Sequence, residues 1–385
     1  MQWESTIVRA ANFCAVCASR FVEAGYAVQT LRIVTNPFGE YLDCTSASSA
    51  TMGMLALKGI LTGDKMPKGT RIRFAIGAAQ TAEELLIVPG LIKNCADLAN
   101  CCINISCDSN GLPDPALTLA AAQCCAALAV QTDGGEGNFN FTANFNMGPG
   151  CPYFPAAYNL ATSGANFALG LEYPDLLVAA LTPLPPTATW QDRYAALTAA
   201  VGPHIATLNG VAQKYAADTS VHFAGFDSSA APSKQSASMV KVCTLLGLDH
   251  FGASGTVQVA SFLTRVFKSF GKAQGGTVDL VGFSGFMLAC LEDPGLAAAA
   301  ADGQYDIRAL LTYSAVCGIG LDTVPIPGDT PVDKIAALMA DTGTMAFRLQ
   351  KPLTVRLFPC PGKQAGQLTT FTSADLCNCA VFAVP

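Results

Sequence analysis

Three side chains in this sequence combine a reactive type with a setting that can expose it. Asp227 closes the apolar run His222-Phe223-Ala224-Gly225-Phe226. A carboxylate at the C-terminal end of such a strand can serve as a general acid or base in the ligand crevice of an α/β protein. An Asx-turn leading to Pro232 is the structural alternative. Cys317 precedes Gly318-Ile319-Gly320, with Asp322 five residues on, and its thiol can act as nucleophile or acid where the thiolate is stabilised. The alternative is a small buried residue where a strand meets a turn, because no histidine lies nearby in sequence. Ser284 belongs to the turn Gly282-Phe283-Ser284-Gly285. That turn, and the second glycine turn of Gly252, Gly255 and Thr256, can present backbone N–H groups to an anion or simply join strand to helix.

Other chemistry is poorly provided for. Neither glycine turn matches a phosphate-binding loop or a dinucleotide fingerprint, and Gly-Phe-Ser-Gly is not the nucleophile elbow of α/β-hydrolases. His204, His222 and His250 are too dispersed for a local metal motif. Cys14-x-x-Cys17 and Cys377-x-Cys379 are the only tight spacings that invite a metal or redox reading, and no second CxxC completes a zinc set. Most of the sixteen cysteines fall in apolar or helical runs, where a thiol behaves as a small hydrophobe. This usage fits a reducing, cytoplasmic compartment.

The elements that must position these residues alternate between strand and helix. Apolar alternation predicts strands over 27–35, 102–107, 138–146, 166–171, 221–226, 278–282 and 353–357. Helical spacing predicts helices over 82–99, 117–130, 190–217 with a break at Pro203, 236–246, 256–270 and 306–313. Near the C-terminus, Thr330 stands as an N-cap with Pro331 as first helical residue, and Gly343 as the stop. Strands separated by helices mean a mainly parallel sheet covered by helices, in one domain spanning 1–385. Periodicity leaves open whether that sheet is flat or closed.

Apolar residues make up 51% of the chain and charged residues 13%, with a formal charge of −6. So little charge implies a large core, or surface covered by another subunit. No basic patch favours nucleic acid, and no apolar run is long enough for a membrane span. Glu4 and Arg9 interrupt any secretory signal at the start.

Several segments together resemble the DUF711/UPF0210 family, which is associated with the barrel fold of pyruvate formate-lyase-like enzymes. They are Val28-Gln29-Thr30-Leu31-Arg32 with Thr35-Asn36-Pro37-Phe38, Pro152-Tyr153-Phe154-Pro155-Ala156-Ala157-Tyr158, and Asp227-Ser228-Ser229-Ala230-Ala231-Pro232. The two glycine turns, Cys317 to Asp322, and Pro361-Gly362-Lys363-Gln364-Ala365-Gly366 complete the likeness. The resemblance implies a large, mainly parallel α/β barrel whose first strand is missing from this chain, since residues 1–8 run almost directly into a helix. Asn159 stands where relatives commonly carry histidine, and Ser254 replaces a histidine of one branch. The glycyl-radical tag of the barrel enzymes is absent, so the fold does not carry their radical chemistry to this chain.

Two functions follow. One is a non-radical cytosolic enzyme of unassigned reaction and cofactor that binds a small polar metabolite inside the barrel. Asp227, Cys317 and Ser284 would be its catalytic groups. Gly252, Gly255, Thr256, Gly282, Gly285 and Tyr158 would be its ligand contacts. The other is a degenerate barrel serving as an oligomeric or assembly subunit with protein partners.

Overall fold

The computed structural model describes residues 2–160, 162 and 164–385. Its strands are β1 (Leu31–Val34), β2 (Ile72–Ala79), β3 (Asn100–Asn104), β4 (Phe141–Phe145), β5 (Asn166–Gly170), β6 (His222–Asp227), β7 (Gly320–Pro327) and β8 (Leu353–Cys360). Six of them form one sheet in the order β1-β2-β3-β4-β8-β7, while β5 and β6 form a second, parallel pair. All neighbours in the large sheet are parallel except β4 and β8, which run antiparallel with Ala143 opposite Val355. The fold is therefore mixed α/β with a mostly parallel sheet. Strands β4 and β8 are buried along their whole length, as expected of strands covered on both faces.

The helices are α1 (Gln2–Glu23), α2 (Ala47–Leu61), α3 (Ala82–Cys95), α4 (Pro115–Gln131), α5 (Pro174–Leu181), α6 (Trp190–Thr219), α7 (Met239–Leu245), α8 (Thr256–Lys268), α9 (Pro294–Ala301), α10 (Ile307–Ser314) and α11 (Val332–Leu349). Their starts follow local chemistry. Asp114 caps α4 and Asp293 caps α9, each with proline next, and Thr189 with Asp192 forms a capping box on α6. Helix α1 packs on β1 and α6. Among the described residues no helix is long and apolar enough to cross a membrane.

The described strands form an open sheet and a separate pair, with no hydrogen-bonded closure between them. Four expectations of local structure need correcting. Residues 278–282 make single bridges, Gly271 with Val278 and Phe226 with Leu280, because Gly282 turns the chain away at φ +62°. Pro203 does not break α6, which stays helical as Val201, Ile205 and Leu208 bury its inner face. Thr330 does not cap α11: Pro331 is extended (ψ 142°), the helix begins at Val332, and the Thr330 hydroxyl donates to the Pro327 carbonyl at 2.7 Å. Gly343 likewise lies inside α11, where a Cβ would sit 2.5 Å from the Phe145 ring.

Candidate functional site

A cavity of about 1040 Å³ is walled by both sheets, by α1 and α6, and by the segment 150–159. Its polar end is built from three arginines, each set singly in an apolar strand. On β1, Leu31 and Ile33 are buried, and strand alternation sends Arg32 between them to the opposite face, where it lines the cavity. The parallel register places Arg32 directly beside Arg73 of β2. Arg356 enters from β8, and all three guanidinium groups reach the cavity.

The three are not equally provided for. Arg356 Nε and Nη2 donate to the two carboxylate oxygens of Asp322 on β7 at 2.6 and 3.0 Å, and Nη2 also meets Glu292. This is a bidentate, fully paired cation. Among the described residues Arg32 donates only to the Thr30 hydroxyl at 3.1 Å and the Pro152 carbonyl at 3.0 Å. Arg73 is 5% exposed and reaches Asp97 and Asn100 only at 3.3 Å. Its Nε is buried with no hydrogen-bond partner among the described residues. Like charges on adjacent strands repel, and a buried donor left unmade costs about 1–3 kcal/mol.

Aromatic rings hold the guanidinium groups apart and in place. Arg73 and Arg356 each lie 5.1 Å from the centroid of Phe139, and Arg32 and Arg73 lie 5.3 and 5.8 Å from that of Phe154. Such contacts cover the cationic faces and leave the N–H edges for ligands. Electrostatics separate the three in the same way. Burial lowers the Arg32 pKa, and burial with the neighbouring Arg32 charge brings Arg73 down to about 10. Burial also opposes the charge on Arg356, but Asp322 and Glu292 outweigh it and hold that pKa above the ordinary range. Burial raises the pKa of Glu292, a cavity-lining carboxyl, against the pull of Arg356. The polar end thus offers surplus cationic N–H groups beside a carboxyl whose burial favours its protonated form. Among the described residues no cluster of three or more His, Cys, Asp or Glu side chains is placed to hold a metal ion.

Most residues singled out by sequence lie elsewhere. Asp227 is fully buried, and its Oδ1 accepts from the Ser229 N–H (3.0 Å), the Ser229 hydroxyl (2.6 Å) and the Ser284 N–H (2.9 Å). Its Oδ2 accepts from the Phe283 N–H at 2.7 Å. The carboxylate ties the end of β6 to the turn at 282–285 and does not line the cavity. Ser284 belongs to the same tie, its hydroxyl donating to Val281 at 3.0 Å and accepting from the Ser228 N–H at 3.2 Å. Gly282 is required there, since a Cβ would lie 2.4 Å from Asp227 Oδ2. Gly285 packs on Gly318, where a Cβ would meet backbone at 2.6 Å, and Cys317 is buried beside that contact. Asp227 and Ser284 therefore meet, but Cys317 adds no polar atom to them. In the other glycine turn, Thr256 donates to the Ala253 carbonyl at 2.7 Å and accepts from the Gly252 N–H at 3.2 Å, while Gly255 starts α8. Of the ligand contacts expected from sequence, Tyr158 alone reaches the cavity wall, donating its hydroxyl to the Met147 carbonyl at 2.8 Å.

Arg73 and Arg356 carry no motif, so motif reading passed over them. The signal available was an arginine flanked on both sides by apolar residues, Ile72-Arg73-Phe74 and Val355-Arg356-Leu357, repeated in Leu31-Arg32-Ile33. An arginine there has to be paired or to serve a ligand.

Comparison with known proteins gives the chain its relatives. A family model described as "Uncharacterised ACR (DUF711)" matches residues 3–373. A UPF0210 protein of Pyrobaculum arsenaticum is 33% identical over 228 residues, 59% of this chain and 50% of that protein. A UPF0210 protein of Lacticaseibacillus paracasei is 36% identical over 134 residues, 35% of this chain and 30% of that protein. The aligned part of this chain spans about half the length of the first of these, or less.

Proposed function

The chain belongs to the DUF711 family, and on that premise we propose that its central cavity binds a small anionic metabolite through Arg32 and Arg73. One observation carries this reading. Two arginines stand side by side on neighbouring strands, and the more buried one keeps an N–H with no partner among the described residues. A carboxylate or phosphate between them relieves their repulsion and supplies that hydrogen bond together. We take the surrounding wall to be a barrel-like enclosure of the pyruvate formate-lyase-like kind, within one domain. In its support, both sheets line the cavity, and the bridges Phe226–Leu280 and Ala289–Asp322 extend each sheet toward the segment 278–291. Glu292, beside the anion, is the group we assign to proton transfer if the bound molecule reacts. Asp227, Ser284 and Cys317 then act as supports of the enclosure.

The test is thermal unfolding with phosphate, malonate and benzoate, read against chloride at equal ionic strength. A bound anion at about a hundred times its Kd stabilises the fold by about 2.7 kcal/mol. At least one anion should raise the Tm of the native chain, and Arg73→Leu should cut that rise by about half or more. Equal shifts in both proteins, or none in either, would return the chain to the structural-subunit reading.

A further inference from the structure

Helices α2, α3 and α4 pack side by side and contribute no residue to the cavity wall. They run the same way, because each leads between parallel strands: α2 from β1 to β2, α3 from β2 to β3, and α4 from β3 to β4. Helix α4 carries no charged residue along its whole length. Its inner face is buried through Ala121, Cys125 and Leu128. A surface helix turns charged or polar groups to water on its other face, but α4 does not. Ala116, Leu119, Gln123, Ala126 and Val130 lie there at alternating spacings of three and four, the period of a seam between two helices. Leu119 is 43% and Val130 84% exposed.

The apolar surface continues onto the neighbours. Leu86 of α3 is 70% exposed, and Met52 and Leu55 of α2 are exposed as well. Three helices about 10 Å apart and 20–25 Å long present a face of about 700 Å². That is close to the roughly 800 Å² that each partner of a specific complex buries. The charges bordering the face are ordered: on α3, exposed Glu83 lies in the first turn and exposed Lys93 in the last.

We infer that this face docks a second copy of the chain, with α4 laid antiparallel on its counterpart across a two-fold axis. A two-fold contact has to be complementary to itself, and this face is. In the antiparallel arrangement Leu119 packs on Val130 of the second copy, and Gln123 on Ala126, so that large meets large at the ends and the middle closes over small side chains. The same axis brings Glu83 to Lys93 of the second copy, acid to base. The two spans agree, about 16 Å of helix rise between Leu119 and Val130 and about 15 Å between Glu83 and Lys93, so one axis serves both pairs.

Sedimentation velocity of the full chain over about 1–100 μM tests this. The native chain should sediment as a dimer in the upper part of that range. Leu119→Glu and Val130→Lys should each weaken association about tenfold or more, by setting a charge in an apolar layer. Combined in one chain they should restore it, because the new side chains meet across the axis with opposite sign. Glu83→Lys should weaken it about threefold, and adding Lys93→Glu should recover the loss. Val257→Glu, the same kind of change at an exposed position on α8, should alter nothing. All these positions are exposed, so the circular dichroism of every variant should match that of the native chain. A native chain that stays monomeric across the range would overturn the inference. So would a dimer that Leu119→Glu leaves intact, that Val257→Glu weakens equally, or that the paired variants fail to restore.

Discussion

The Asp227 tie and the arginine chamber both bury charge, and they are finished differently. At Asp227 four donors converge on one carboxylate, and the glycine beside it leaves no room for anything else. In the chamber, Arg356 is likewise satisfied by two carboxylates, but Arg32 and Arg73 are brought together with their hydrogen bonding incomplete and a cavity in front of them. A buried polar group with every bond made holds the fold together. One with bonds left over is held in place by the fold for something else.

The comparison breaks first on stability. Asp227→Ala leaves several buried donors unmatched and Arg356→Leu strands two carboxylates, so each should cost about 3–5 kcal/mol in urea unfolding. A loss below 1 kcal/mol in either would mean that its site is not the closed unit described. Gly282→Ala should follow at about 2–3 kcal/mol, from a positive φ and contact with Asp227. Arg73→Leu should fall on the other side of the contrast. Asp97 keeps Arg71, so stability should change by about 1 kcal/mol or less while anion affinity drops about 10- to 100-fold.

A pH series sharpens the same contrast within the chamber. Burial raises the Glu292 pKa, so in a series of falling pH from 8 to 4 this group takes up a proton before an ordinary carboxyl does. That removes a negative charge beside the anion, and affinity should rise as the pH falls. In Glu292→Gln the titration calorimetry profile should be flatter across that range. The smallest effect belongs to Thr330→Ala, which loses one hydroxyl bond in a turn and should cost about 0.5–1 kcal/mol.

Much of the fold was legible because it follows from local pattern. Helical spacing located α4 within a residue or two, and the alternation from Asn166 marked β5. What escaped was set by distant partners. The pairing of β8 against β4 depends on residues some two hundred positions apart, so no local period announces the single antiparallel neighbour. The Thr330 expectation failed because Pro331, read as helical, is extended in this turn. The strand-end rule pointed Asp227 toward a ligand crevice but said nothing of whether its hydrogen bonds were already spent on the neighbouring turn. The chamber was hidden for the opposite reason. Its arginines lie in three strands far apart in sequence, and only the register of β1 on β2 makes two of them neighbours.

The position of β8 also sets an order of assembly. Because it lies between β4 and β7, the four strands made first must wait, one edge unpaired, until residues 353–360 have been synthesised. Pairings of such high sequence separation are slow and expose apolar edges in the meantime. Arg356 arrives on that late strand, opposite the Phe139 ring that Arg73 already shares. The chamber therefore doubles as a marker of completed synthesis: in pulse-labelled refolding, protection conferred by a bound anion should be the last to appear.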